Sequence, residues 1–151
     1  MSEDPFNLER FPRAQDPVYG RVRWELAAGA KRSHWMWFIF PQLQGLGSSA
    51  TARAFALGSL EEARAYLAHP LLGARLRECT ELINGLRDRT AEEIFGYPDR
   101  MKFHSSMTLF AHAATGEPDR SLFREALARY FGGAEDPLTV RGLTSDAGTS
   151  G

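Results

Sequence analysis

The stretch Lys31–Gln42, KRSHWMWFIFPQ, decides how the rest of the chain must be arranged. It carries two of the three tryptophans and two of the ten phenylalanines, together with a methionine and an isoleucine. So large an apolar mass has to be buried, and most of the chain must supply its cover. Two cations, Lys31 and Arg32, stand directly in front of it. From Lys31 to Leu60 there is no Asp or Glu, while Arg53 adds a further positive charge. The stretch therefore reads as core with a locally positive rim.

Its own conformation is not settled by periodicity, because every residue from Trp35 to Phe40 is large and apolar. A period of two and a period of 3.6 fit such a run equally well. A short helix capped by Ser33 is favoured, since the flanking segments read as helices and a lone strand would have no partner. Pro41 ends it. The loop QLQGLGSS at 42–49 follows, where the glycines at 45 and 47 permit close approach of the backbone to core or ligand.

Upstream, Leu8 to Gln15 forms one or two helical turns with Leu8 and Phe11 inward. Asp16-Pro17 reads as a cap and first helical position. Val18, Val22 and Leu26 then recur at helical spacing up to a stop at Gly29. Downstream, Ser48 or Ser49 caps a helix over Ala50–Ala56. Ser59-Leu60-Glu61-Glu62 and Thr90-Ala91-Glu92-Glu93 are capping boxes. Pro70 opens the longest helix, with Leu72, Leu76, Cys79, Ile83 and Leu86 as its apolar stripe, and Gly73 weakens it. Asp99 caps a helix over about Arg100–Ala113, and Asp119 one over Arg120–Phe131. The chain from Ala134 is rich in Gly, Ser, Thr and Asp and reads as irregular. The sum is an all-α fold, a compact irregular bundle of about seven short helices. It forms one domain over residues 8–140 with flexible termini at 1–7 and 141–151.

Composition sets bounds on function. At 151 residues, with 43% apolar and 25% charged residues, the chain can bury a core without staples. A net charge of -1 supplies no general basic field for nucleic acid. The single cysteine excludes an intrachain disulfide and a thiolate zinc cluster. That usage, a polar N-terminus unlike a signal peptide and the lack of a long apolar run point to a cytoplasmic location without a membrane partner.

Two groups carry candidate chemistry. Lys31, Arg32 and Ser33 would surround a helix N-terminus suited to an anion, with His34 as a further donor and the candidate catalytic group. Trp35 would stack on a ring, and Gln42 joins this set. The plain structural alternative is a solvated connection with core tryptophans. The second group is Lys102, Ser105, Ser106 and Thr108. Its hydroxyls suit sugar or phosphate oxygens, or else simply allow close helix packing. No GxSxG, P-loop, dinucleotide glycine signature or HExxH is present, so no metal site and no cofactor is expected.

These same segments carry a resemblance. Phe11 with Ala14-Gln15, Tyr19, KRSHWMWFIFPQL at 31–43 and GLG at 45–47 match a pattern. EARAYLAHPLLGARLRE at 62–78, IFGYPD at 94–99, Lys102, SSMTLF at 105–110, Asp136 and Thr139 continue it. The chain resembles a bacterial family of uncharacterised proteins, domain-of-unknown-function family 1810. The resemblance implies a compact, mainly α-helical single domain and no assigned activity. A looser similarity to small α-helical glycosidases of ADP-ribose-linked compounds carries no residue across. The functional expectation is a binder or N-glycosidase-like hydrolase of a small phosphate-bearing, nucleotide-like ligand. The alternatives are a protein-interaction or ligand-sensing module and a nucleic-acid accessory protein. A monomer and a dimer are both compatible with the sequence.

Overall fold

The structure, a computed structural model, describes residues 4–149. Within them lie ten helices and no strand. They are α1 (Arg10–Gln15), α2 (Tyr19–Ala28), α3 (Met36–Ile39), α4 (Ala50–Phe55), α5 (Leu60–Ala68), α6 (Pro70–Asn84), α7 (Ala91–Phe95), α8 (Asp99–Ala113), α9 (Asp119–Phe131) and α10 (Pro137–Thr149). The expected all-α class and single domain hold, with ten helices rather than about seven. The one-turn helices α3 and α7 lie in segments expected to be helical, and α10 lies in the stretch for which no helix was expected.

Helix α8 is the axis of the bundle. Phe103 and every residue from Ser105 to Ala111 are buried, and α3, α5, α7, α9 and α10 all pack against it. The aromatic core runs through it. Phe103 stacks on Phe95 at 4.7 Å and meets Phe40 edge-on at 5.0 Å. Phe110 meets Tyr66 and Phe123. Phe11 closes the far side, edge-on to Tyr66 at 5.0 Å. The edge-on pairs place the electropositive edge of one ring on the face of the next.

Several helix ends follow local rules. Ser49 Oγ accepts from Ala52 N–H, and Ser59 Oγ accepts from Glu62 N–H. Thr90 and Glu93 complete a reciprocal box. Gly29 ends α2 with φ 75°, a conformation that costs other residues a Cβ clash. Other ends depart from expectation. Asp16 does not start α2; it continues out of α1, donating its N–H to Pro12 O, and its carboxylate pairs with Arg75 at 2.8 Å. Glu62 does not close its box. It turns to Gly58 N–H at 2.8 Å and to Arg10 at 3.0 Å. His69 caps α6 through Nδ1. Asp99 and Asp119 are first residues of their helices rather than caps, and pair with Lys31 and Arg77.

The Lys31–Gln42 stretch is helical only over Met36–Ile39, and Ser33 does not cap it. Beyond α3 the chain turns and pairs with residue 57: Gln44 N donates to Leu57 O at 2.8 Å and Leu57 N to Gln42 O at 2.9 Å. This tie fixes the start of the loop at 42–49 to the connection between α4 and α5. Gly47 is required there, since a Cβ would lie 2.7 Å from the Ala52 methyl.

Candidate functional site

Arg32, Ser33 and Trp35 turn their donors to an internal carboxylate, that of Glu25. Glu25 Oε1 accepts from Arg32 N at 2.9 Å, Ser33 N at 3.2 Å and Trp35 Nε1 at 2.8 Å. Its Oε2 accepts from Ser33 Oγ at 2.6 Å. Burial alone would push the Glu25 carboxyl up. The bonds from Ser33 Oγ, Arg32 N–H, Trp35 and Ser33 N–H outweigh it and hold the group below the ordinary carboxylate value. Lys31 is also engaged: Nζ lies 2.6 Å from Ser33 O and 2.6 Å from Asp99 Oδ2, and 5.0 Å from the Trp35 ring centre. Trp35 is buried and offers no face for stacking.

A cleft lies on the other side of Asp99. Its volume is about 360 Å³, and it is lined by Trp37, Gln42, Leu46 to Ser49, Ala52, Tyr97, Pro98, Met101, Lys102, His104, Ser105, Asp136 and Leu138. That volume lies at the lower end of the range for small-molecule sites, roughly 300–1,000 Å³. Lys102 Nζ stands 4.4 Å over the Trp37 ring and 3.4 Å from Asp99 Oδ1. Asp99 thus bridges Lys31 to Lys102 and leaves one net positive charge in the trio. Tyr97, Met101 and Leu138 are 69%, 47% and 53% exposed, unusual for large apolar residues, and all three line this cleft.

The polar wall is built from α8 and the start of α10. His104, Thr108 and His112 sit one turn apart on α8. His104 Nε2 donates to Ala134 O at 2.8 Å, Asp136 N–H donates to Thr108 Oγ1 at 2.9 Å, and His112 contacts the Glu135 carboxylate. Asp136 precedes Pro137 and caps α10: Oδ2 accepts from Thr139 N–H at 3.1 Å and from Thr139 Oγ1 at 2.6 Å. The Ser105 hydroxyl reaches the same Oδ2 at 3.1 Å. Three successive turns of α8 therefore hold the segment that delivers Asp136 to the cleft.

Of the residues expected from sequence, the fold brings Gln42, Lys102 and Ser105 to the cleft. Lys31 is next to it through Asp99. Arg32, Ser33, Trp35, Ser106 and Thr108 do not line it, and the exposed His34 does not either. Ser106 is fully buried, and its Oγ has no hydrogen-bond partner among the described residues. Ser106→Ala is accordingly expected to be neutral or to stabilise by up to about 1 kcal/mol, because it removes an unmatched polar atom from the core. Chemical denaturation measures this, and a loss of more than that would mean the hydroxyl is bonded. Trp37, Tyr97 and His104 were not in the expected set, whereas Asp136 was one of several acidic residues open to a general-base role. Asp-Pro followed by Thr139 was a readable cap signal for Asp136.

A broader depression of about 700 Å³ lies around Arg87, Arg89, Arg129 and Tyr130. Arg129 there is paired with Glu125 at 2.7 Å. Its chemistry is that of a solvated basic rim, so the smaller cleft, with convergent apolar and polar groups, is the stronger candidate.

A family model described as "Protein of unknown function (DUF1810)" matches residues 5–143. The chain belongs to this family. The crystal structure of the conserved hypothetical protein Rv1873 from Mycobacterium tuberculosis is similar to it, with 57% sequence identity and a TM-score of 0.90. The match covers 93% of this chain and 99% of that one. A comparison with curated protein sequences gave no match. Among the described residues, no helix of this DUF1810 member is long and apolar enough to cross a membrane.

Proposed function

We propose that the Trp37–Lys102 cleft binds a small ring-bearing molecule with an anionic group, of nucleotide-like character. The observation that carries this reading is the convergence of Tyr97, Met101 and Leu138, all exposed, on a concavity also lined by polar side chains. A surface for a protein partner would favour a flat apolar patch, whereas here Gln42, Lys102, Ser105 and Asp136 line the same concavity as the apolar residues. The exposed Tyr97 ring and the half-buried Trp37 ring, over which Lys102 stands, suit a planar ring, and Lys102 is the cation that meets the anionic group. Within this reading the group suited to activating water is Asp136. It lines the cleft as a carboxylate, and its Oδ1 has no hydrogen bond among the described residues, whereas His34 lies outside.

The test is calorimetric titration with nucleoside mono- and diphosphates, phosphosugars and inorganic phosphate. Trp37→Ala and Lys102→Ala are each expected to weaken a binding nucleotide by about tenfold to a hundredfold, the range for loss of one stacking face or one close charge. Trp24→Ala, whose ring is exposed away from the cleft lining, is the control and leaves affinity unchanged. Absence of binding across the panel, or wild-type affinity in both cleft variants, would sink the proposal. Chromatography of the bound nucleotide after incubation then reads hydrolysis directly.

A further inference from the structure

The donors on the α8–α10 wall of the cleft are already engaged inside the protein. Thr139 directs both its N–H and its hydroxyl to Asp136 Oδ2. The single hydroxyl proton of Ser105 has two acceptors, Met101 O and Asp136 Oδ2, each 3.1 Å away. His104 Nε2 lies 2.8 Å from Ala134 O. A carbonyl can only accept, so that nitrogen carries a proton, and on a ring with a single proton Nδ1 is an acceptor. What remains on this wall is a set of acceptors: Asp136 Oδ1, a lone pair of Ser105 Oγ and His104 Nδ1. A phosphate placed there would set its oxygens against a carboxylate and lone pairs, with no proton between them. The other donors of the cleft are elsewhere, on Lys102, the Gln42 amide and the hydroxyls of Ser48, Ser49 and Tyr97.

We infer that the Asp136–Ser105–His104 wall recognises paired hydroxyl groups of a sugar, and that the anionic group of the same ligand lies away from it, at Lys102. This rests on the nucleotide-like reading above and gives it an orientation. It also narrows the expectation for Ser105, whose hydroxyl suited sugar or phosphate oxygens, to accepting from a sugar hydroxyl. A buried acceptor left without its donor is costly, so a site of this kind should discriminate strongly against a ligand that lacks the hydroxyls.

The experiment uses the full chain labelled with nitrogen-15, with the His104 ring and Lys102 followed by NMR. Free ribose is expected to move the His104 ring signals, and inorganic phosphate those of Lys102. Adenosine 5′-monophosphate is expected to bind at least about tenfold more tightly than its 2′,3′-dideoxy counterpart. Asp136→Asn retains an oxygen that can cap α10 and should erase most of that difference, while the phosphate response at Lys102 persists. A circular dichroism spectrum confirms that the variant is folded. His104 signals that ignore ribose, that respond equally to phosphate, or that respond to propylammonium in place of ribose would each overturn the inference, as would equal affinity for the two nucleotides. The ribose and phosphate arms need no nucleobase. The acceptor wall can therefore succeed where the nucleotide panel fails, and the two readings fail separately.

Discussion

Replacing Glu25 with alanine is expected to destabilise the protein by about 3 kcal/mol or more, a large share of the roughly 5–15 kcal/mol that holds a domain of this kind folded. The carboxylate is only 3% exposed and receives hydrogen bonds from Arg32 N, Ser33 N, Ser33 Oγ and Trp35 Nε1. Removing it strands those donors together. Arg32 and Ser33 lie near the surface and can recruit water, but the Trp35 indole is 1% exposed and cannot. The loss therefore spreads from this cluster to the packing of α3 on α8. Glu25→Gln, nearly isosteric, keeps one accepting oxygen but turns an NH2 group toward other donors, and should cost somewhat less.

The same residue gives the protein an acid sensitivity of predictable sign. The Glu25 carboxyl is held below its ordinary value in the folded state, so the folded protein binds this proton less readily than the unfolded chain. Its contribution is fully present above the unfolded value, about pH 4.3, and is lost as pH falls through the folded value. The stability gap between wild type and Glu25→Gln should accordingly be widest near pH 7 and narrow below about pH 4. Urea denaturation at both pH values measures it. A gap that stays constant would show that the carboxylate is not the group titrating.

Gly73→Ala should be the second severe substitution, and its sign runs against the usual rule. In an exposed helix interior the change stabilises by about 1 kcal/mol. Here a Cβ would lie 2.2 Å from the Leu67 carbonyl oxygen and 2.9 Å from Arg77 Nη1. The first contact is with backbone at the end of α5, which cannot swing aside like a side-chain tip. Arg77 also donates to that carbonyl at 3.2 Å and to Asp119 at 2.7 and 2.9 Å, so the clash would disturb the joint between α5, α6 and α9. A net destabilisation of about 3 kcal/mol is expected, at the upper end for overpacking. Thermal or urea unfolding of the alanine variant tests it. Unchanged or increased stability would mean that the two helices can separate without loss.

Gly73 also shows where sequence reading stops. In the sequence it is a poor helix former inside a long helix; in the fold it is the only residue small enough for the Leu67 carbonyl to approach. The Asp-Pro signal teaches the same lesson twice. At Asp16-Pro17 it suggested a helix start, but α1 runs into that position and Arg75 claims the carboxylate. At Asp136-Pro137 the same chemistry caps α10, in a stretch whose small polar residues read as irregular. A cap rule describes what a side chain can do locally, and a competing partner in space decides whether it does so.

The sequence by itself determined the all-α class, the apolar residues that must be buried, and helix ends set by local groups such as Ser49, Ser59, Thr90 and Gly29. It also carried the family resemblance that the DUF1810 match bears out. These are properties of neighbours along the chain, where periodicity and capping act over a few residues. The tertiary structure alone decided which polar groups were left free. Lys31, Ser33 and Trp35 have the chemistry of an anion site, but Glu25 and Asp99 reach them first. Trp37, Lys102, Ser105 and Asp136 reach one cleft only because α8 holds the chain leading into α10 beside the loop that follows α3. A hydrogen-bonding group is available to a ligand only when packing has not already given it a partner, and that is fixed by residues distant in sequence.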